Sequence, residues 1–292
     1  MSLFGRIRNR IARSAGRALS HIVDRVIIPS PPTTHPMNLT AIKRAAKHLK
    51  GQPRVLVCVG SGLSAESGVP TFRGPGGMFY EAKIARLTHV DTFESDQRRE
   101  MMGWYQERRD VLDTIKPNPG HHALIGLCQT GNYTIATQNV DHLLEAASDE
   151  ADFRPEIHHL HGSLLEVRCH DCGRSFEDLS LDLETLPTCE HCGGPLRPGV
   201  VWFGESLPHG ALQTSAEAAQ QADVCLILGT SGLVHPAAAL PETARQFGAT
   251  LIEVNPNPTA LSDISNIIIR GKTGEVLPVL LKEVERLNKA KA

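Results

Sequence analysis

Four short, mainly apolar runs punctuate the chain: Val55–Val59, Tyr133–Thr137, Val224–Leu228 and Thr250–Val254. Between and around them the apolar positions take helical spacing over Leu39–Leu49, Arg98–Ile115, Pro119–Gln129, Leu212–Ala222 and Pro236–Phe247. Strands without polar alternation are covered on both faces. Their alternation with helices therefore predicts an α/β fold, a Rossmann-like doubly wound parallel sheet. Ligands on such sheets bind beyond the carboxyl ends of the strands. Those ends supply Gly60-Ser61-Gly62, Thr137-Gln138-Asn139-Val140-Asp141, Gly229-Thr230-Ser231 and Asn255-Pro256-Asn257, so one crevice lined by all four is expected. The run from about His161 to Arg197 breaks the alternation and predicts a small inserted module, at about residues 163–197.

The 292 residues divide at Ile28–Pro36, where the prolines oppose helix continuation. This predicts a body over 37–292 and an extension over 1–36. Residues 1–29 carry six arginines and one acid, with Phe4, Ile7, Ile11, Ala15, Ala18 and Ile22 on one helical face. Such a segment suits weak contact with an anionic surface, an organelle transit role or a loose solvated extension. A net charge of −2 argues against a protein built to grip nucleic acid. No apolar run approaches the ~20 residues that span a bilayer. A soluble protein of the bacterial cytoplasm is expected, or of the mitochondrial matrix in a eukaryote.

Two motifs carry strong chemical signals. Cys169-x-x-Cys172 and Cys189-x-x-Cys192 lie sixteen residues apart, and a glycine follows each pair. Two such knuckles close a tetrahedral sulfur shell around zinc, with no vacant position for catalysis. His170 and His191, inside the knuckles, read as solvated bystanders. The other cysteines, Cys58, Cys128 and Cys225, read as buried thiols. After the strand at Val55–Val59, Gly60-x-Gly62-x-x-Ala65 reads as a pyrophosphate cradle: a tight turn, a close backbone approach, and a small residue where a helix packs on the strand.

Other positions have weaker signals. His158, His159 and His161 cluster before the module, and an imidazole there can be a general base or merely structural. Asn139 and Asp141 can bond a ligand or cap the helix that comes next. Tyr105 and Arg108 share a helical face, where they could bind a carboxylate or form an ordinary solvated surface.

Taken in order, these motifs resemble the sirtuin family of NAD-dependent protein deacylases, over roughly Val55 to Leu281. The resemblance rests on Gly60–Gly62 with Ser67-Gly68-Val69-Pro70-Thr71-Phe72-Arg73, Thr137–Asp141, His161-Gly162, the two cysteine pairs, Val200–Glu205, Gly229–Ser231 and Asn255. It implies NAD as co-substrate and one structural zinc ion. Gly60, Ser61, Gly62, Ser64, Phe72 and Arg73 would then form the cofactor loop, and Gln138, Asn139 and Asp141 the nicotinamide and ribose pocket. Gly229, Thr230, Ser231, Asn255 and Thr273 would hold the adenosine half. Asn139 and His161 would be catalytic, with His161 as general base. Val201, Trp202, Phe203 and Gly204 would pair with an acyl-lysine peptide as a strand.

The implied reaction starts with attack of the acyl amide oxygen on the anomeric carbon of the ribose, expelling nicotinamide. His161 then takes a proton from a ribose hydroxyl, and the products are free lysine and acyl-ADP-ribose. The Tyr105–Arg108 pair resembles the branch that removes succinyl and malonyl groups. Ser61 stands where the family usually has Ala, and Thr88 where that branch tends to have a small Ala, so mixed activity on acetyl and acidic acyl groups is expected. The nearest competing reading, an ADP-ribosyltransferase or glycohydrolase, would not need the Val201–Gly204 track. A dehydrogenase is disfavoured, because only Glu81 lies near the position of a ribose-binding acid.

Overall fold

The computed structural model describes residues 37–72, 82–176 and 181–290. The basic extension over 1–36 and Arg73 of the cofactor loop lie outside these residues. A six-stranded, wholly parallel sheet contains β1 (Arg54–Val59), β2 (Asn132–Thr137), β3 (Glu156–His159), β7 (Val224–Leu228), β8 (Thr250–Val254) and β9 (Ile267–Ile269). Its order is β3-β2-β1-β7-β8-β9, the Rossmann order, with chain direction across the sheet reversing between β1 and β7. One face is covered by α1 (Leu39–Leu49), α5 (Pro119–Cys128), α6 (Leu143–Glu150) and α9 (Thr273–Lys289). The other is covered by α7 (His209–Gln221) and α8 (Ala239–Gln246).

The predicted strands and helices are present, most with ends within a few residues of expectation. The edge strands β3 and β9 and the helix α9 lie outside the predicted set. β3 has the sequence Glu-Ile-His-His, whose polarity hides a strand, and Pro278 inside α9 argues against a helix. α9 still forms, because Val276, Leu277, Leu280 and Val284 place a continuous apolar stripe on the core. Cys58, Cys128 and Cys225 are buried, as read.

The second lobe is larger than the predicted insertion. Strands β4 (Gly162–Cys169), β5 (Ser175–Phe176) and β6 (Leu196–Val200) form an antiparallel sheet in the order β5-β4-β6. Against it pack α2 (Ala82–Leu87), α3 (Val90–Phe93) and α4 (Arg98–Val111), around Leu87, Phe93, Met101, Tyr105 and Trp202. The helix expected at Arg98–Ile115 therefore serves this lobe and does not cover the main sheet.

The four cysteine sulfurs lie within 4.8 Å of one another, with Cys169–Cys192 at 3.4 Å and Cys172–Cys189 at 3.9 Å. A tetrahedral shell with zinc–sulfur bonds of about 2.3 Å has edges of about 3.8 Å, so the cluster fits a zinc ion. Gly173 and Gly193 take φ of 69° and 75° and return their amides to the Cys169 and Cys189 carbonyls, which closes each knuckle. His191 is exposed, but His170 is not a solvated bystander. Its ring lies 4.9 Å from that of Phe93, and Nε2 is 3.6 Å from Glu94, so it joins the ribbon to α3.

Removing zinc with a strong chelator should free the amides of β4 and β6 to exchange with solvent, while β1 and β7 keep their protection. Hydrogen exchange resolved by peptide reads both regions, and equal loss in the two would show that the metal supports the whole chain.

Candidate functional site

Register explains why the site forms where it does. His159, Thr137, Val59, Leu228 and Val254 stand side by side at the carboxyl end of the sheet. The next residues along each strand, His161, Gln138–Asp141, Gly60–Gly62, Gly229–Ser231 and Asn255, therefore emerge level with one another. The break in strand order at β1 and β7 leaves a crevice between their loops.

The glycines are required by the approach of these two loops. Gly60 N–H donates to the Leu228 carbonyl and Gly62 N–H to the Gly229 carbonyl, each at 2.9 Å. A Cβ on Gly62 would lie 2.6 Å from Gly229 Cα, and one on Gly60 would lie 2.7 Å from Thr230 Cα. The helix expected after the loop is absent: a single 3-10 turn, Ala65–Ser67, takes its place, and Ala65 is exposed instead of packed on a strand. Phe72 N–H returns to Ser61 Oγ at 3.5 Å, so the Ser61 hydroxyl ties the end of the loop to its start.

Ser64 is wholly buried and joins three elements. Asn139 Nδ2 donates to Ser64 Oγ at 3.1 Å and to the Gly60 carbonyl at 3.2 Å. His121 Nδ1 accepts from Asn118 N–H, which leaves the proton on Nε2 and directs it to Ser64 Oγ at 3.5 Å. Burial pushes the His121 pKa down to about 3, so this ring stays neutral. Burial pushes the Asp141 carboxyl up, against the opposing influence of Ser64 and the Leu143 amide. Asp141 Oδ1 also accepts from Leu143 N–H at the start of α6, so the capping role holds for this residue. Asn118 and His121 were not among the expected site residues. The signal for them was the helix start Asn118-Pro119-Gly120-His121, which forms a capping box.

The β7 and β8 side of the crevice is similarly braced. Gln138 Nε2 donates to Thr230 Oγ1 at 3.1 Å, and Asn255 Nδ2 donates to the Thr230 carbonyl at 3.1 Å. Ser231 is half-buried beside them, and its carbonyl accepts the Ala260 amide. Thr273 is buried at the start of α9 and donates from Oγ1 to the Gly62 carbonyl at 3.3 Å, supporting the glycine loop from behind.

The three clustered histidines separate completely. His158 pairs with Glu156 at 3.0 Å on β3, and His159 meets Glu145 at 2.6 Å. His161 Nδ1 donates to the Gln138 carbonyl at 3.2 Å, which leaves the Nε2 lone pair available. Burial lowers its pKa against the smaller opposing effect of that bond, so the imidazole is neutral near pH 7.

His161 also leads into the second lobe, since its carbonyl accepts Val201 N–H at 2.8 Å. Phe203 uses its N–H on Thr88 and its carbonyl on Val90, and Trp202 N–H donates to Glu205 at 2.8 Å. Among the described residues, the Val201 carbonyl and the Gly204 backbone make no backbone hydrogen bond. Glu205 accepts from Arg197 at 2.5 and 2.9 Å and from Arg168 at 3.2 Å. Burial works against its charge, but these arginines and the Trp202 amide hold its carboxyl below the usual range. The Arg197 guanidinium lies 3.2 Å from the centre of the Trp202 ring.

Tyr105 is buried with its ring 6.1 Å from that of Trp202, and burial pushes its phenol up. Arg108 lies over the Trp104 ring at 3.1 Å and donates to the Trp104 carbonyl at 2.8 Å. Burial brings its pKa down to about 10, while the nearby Tyr105 and Glu107 work the other way. Thr88 is buried and its hydroxyl points back to the Ile84 and Ala85 carbonyls.

This arrangement has relatives. Residues 60–236 match the Sir2 family model. The chain is 40% identical over 251 residues to NAD-dependent protein deacylase 2 of Pyrobaculum aerophilum, covering 86% of this chain and 96% of that one. It is 40% identical over 244 residues to an NAD-dependent protein deacylase of Mycobacterium tuberculosis, covering 81% and 100%. A Sir2 homologue solved with 2′-O-acetyl ADP-ribose superposes with a TM-score of 0.77 at 38% identity, over 84% of this chain and 97% of that one. A strand order, a crevice and a histidine placed in this way, with matches over most of the chain, establish that the protein belongs to the Sir2 family.

Proposed function

We propose that the protein removes acyl groups from protein lysines in an NAD-dependent reaction, giving free lysine, nicotinamide and 2′-O-acyl-ADP-ribose. The observation that carries this reading is His161. It is a half-buried, neutral imidazole with Nδ1 fixed on Gln138, and it sits where the dinucleotide crevice meets the Val201–Gly204 segment. When bound, NAD supplies an anomeric carbon with a cationic pyridine as leaving group. Gly60, Ser61, Gly62, Ser64 and Phe72 would hold its phosphate region, Gln138, Asn139 and Asp141 its nicotinamide ribose, and Gly229, Thr230, Ser231, Asn255 and Thr273 its adenosine end.

The acyl-lysine peptide adds as a strand against the Val201 carbonyl and Gly204, beside the exposed Phe203 side chain. His161 Nε2 accepts a proton from a ribose hydroxyl, which makes that oxygen nucleophilic toward the acyl carbon. The substrate range includes acyl groups that end in a carboxylate. The Arg108 guanidinium has lost much of its water and lies near a buried phenol, and this pair of donors suits an anionic acyl terminus. Acetyl-lysine remains a substrate because it needs only the shared part of the channel. The reaction draws on soluble NAD and protein substrates, which suits a cytoplasmic enzyme.

Acyl-lysine peptides should be turned over only with NAD, and His161→Ala should lower kcat/KM by about 10²- to 10⁴-fold. Turnover that ignores NAD or survives that substitution would end the proposal. A base must be neutral to act, and the His161 pKa is lowered, so the acid limb of the kcat/KM profile should fall below pH 6.5. A limb above that value would assign the titration to another group. Arg108→Met should cost desuccinylation about 10- to 100-fold and deacetylation much less. Equal losses measured on matched succinyl and acetyl peptides would reduce Arg108 to a structural residue.

A further inference from the structure

Behind the catalytic loop, three side chains turn metal-ligating atoms toward one another: His142 before α6, Glu145 within its first turn, and His159 at the end of β3. One ligand atom from each lies within 4.8 Å of the others. His159 Nε2 is 2.6 Å from Glu145 Oε1, and His142 Nδ1 is 3.7 Å from Glu145 Oε2. The two imidazoles stack with centroids 4.8 Å apart. The deacylation chemistry described above uses none of the three.

The second nitrogen of each imidazole is already anchored. His159 Nδ1 donates to the Asn139 carbonyl at 3.2 Å, and His142 Nε2 shares a hydrogen bond with Ser163 Oγ at 2.5 Å. Outer partners of this kind fix the rotation of a ligating imidazole and leave its other nitrogen for an ion. An independent observation points the same way. Glu145 Oε2 is buried and has no hydrogen-bond partner among the described residues. A carboxylate oxygen removed from water without a hydrogen bond is costly, the His142 ring at 3.7 Å is too far to supply one, and a cation between the two would satisfy it. The three side chains are 19–32% exposed, which gives an ion a path in.

We propose that His142, Glu145 and His159 form a second metal site, separate from the four cysteines, that takes one divalent ion of the Zn²⁺ class. His142 Nδ1, His159 Nε2 and the Glu145 carboxylate are the ligands, with water completing the shell. Two imidazoles and one carboxylate suit Zn²⁺, Cu²⁺ or Ni²⁺, and not the all-oxygen shells of Mg²⁺ or Ca²⁺. The ion replaces the proton held between His159 and Glu145, which leaves to solvent. Through Asn139 on one side and Ser163 on the other, the site adjoins both segments that flank His161.

The test starts from full-length protein that carries about one zinc per chain in its ribbon. Equilibrium dialysis against buffered Zn²⁺, with metal content measured on the retained protein, should show a second zinc at micromolar free concentrations. His142→Gln, Glu145→Gln and His159→Gln should each weaken this uptake by at least about tenfold and leave the ribbon zinc in place. Co²⁺ added to the zinc-loaded protein should give weak visible bands without thiolate charge transfer, which identifies a nitrogen and oxygen site without any variant. A wild-type protein that stops at one zinc overturns the proposal. So does a second zinc held equally well by all three variants, since it would then rest on scattered surface histidines.

Discussion

The crevice depends on Ser64. Its hydroxyl sits out of water between the loop after β2 and the start of α5, and it contacts Asn139 and His121. Each of these groups would be expensive to bury without a partner. Together they satisfy one another only when the loops hold their present spacing. The glycines at 60, 62 and 229 allow the same spacing from the other side, because any side chain at these points would enter the opposite backbone. A polar network pulls the loops together and the missing Cβ atoms let them meet, so the two constraints set one spacing between the described loops.

The second lobe meets a different constraint with the same kind of solution. Residues 201–205 are a connection that lies outside both sheets and still needs a fixed course beside His161. Glu205 achieves this by accepting the Trp202 amide while two arginines neutralise it, one of them, Arg197, only 1% exposed. A buried charged network is weak evidence for stability but strong evidence for a fixed geometry, since removing one member leaves the others uncompensated. The zinc knuckles fix the far ends of β4 and β6, and the network fixes the near end, next to His161.

Much of this was legible in the sequence, for identifiable reasons. Strands buried on both faces are continuous apolar runs, and the interior strands β1, β2, β7 and β8 are of that kind. The edge strand β3 carries two histidines and escapes the same test. The cysteine knuckles announce themselves because metal geometry demands fixed spacing, and the sulfur distances agree. The glycine motif was legible too, but its expected helix is a single turn. Glycine spacing encodes the close approach of backbones and does not set the conformation of residues 65–72. The partnership of α4 with the ribbon was not legible. An amphipathic stripe shows that a helix has a face to bury and is silent about which surface will cover it. Asn118 and His121 escaped for a related reason: their role lies in a contact with Ser64 that sequence separation conceals.

His159 and His161, two residues apart, show how environment assigns chemistry to one residue type. Both are largely buried, and burial alone opposes protonation of each. His159 meets Glu145, whose charge and hydrogen bond outweigh burial and raise its pKa. His161 meets only the Gln138 carbonyl, which orients the ring without supplying a charge, so burial wins and its pKa falls. A carboxylate in that position would raise the pKa of the ring, as Glu145 does for His159. In its proposed role as base, His161 therefore works from a lowered pKa, with no acidic partner among the described residues. The strand supplies the separation: β3 ends at His159, and the chain turns through Leu160 before His161, which carries one ring toward Glu145 and the other toward the crevice.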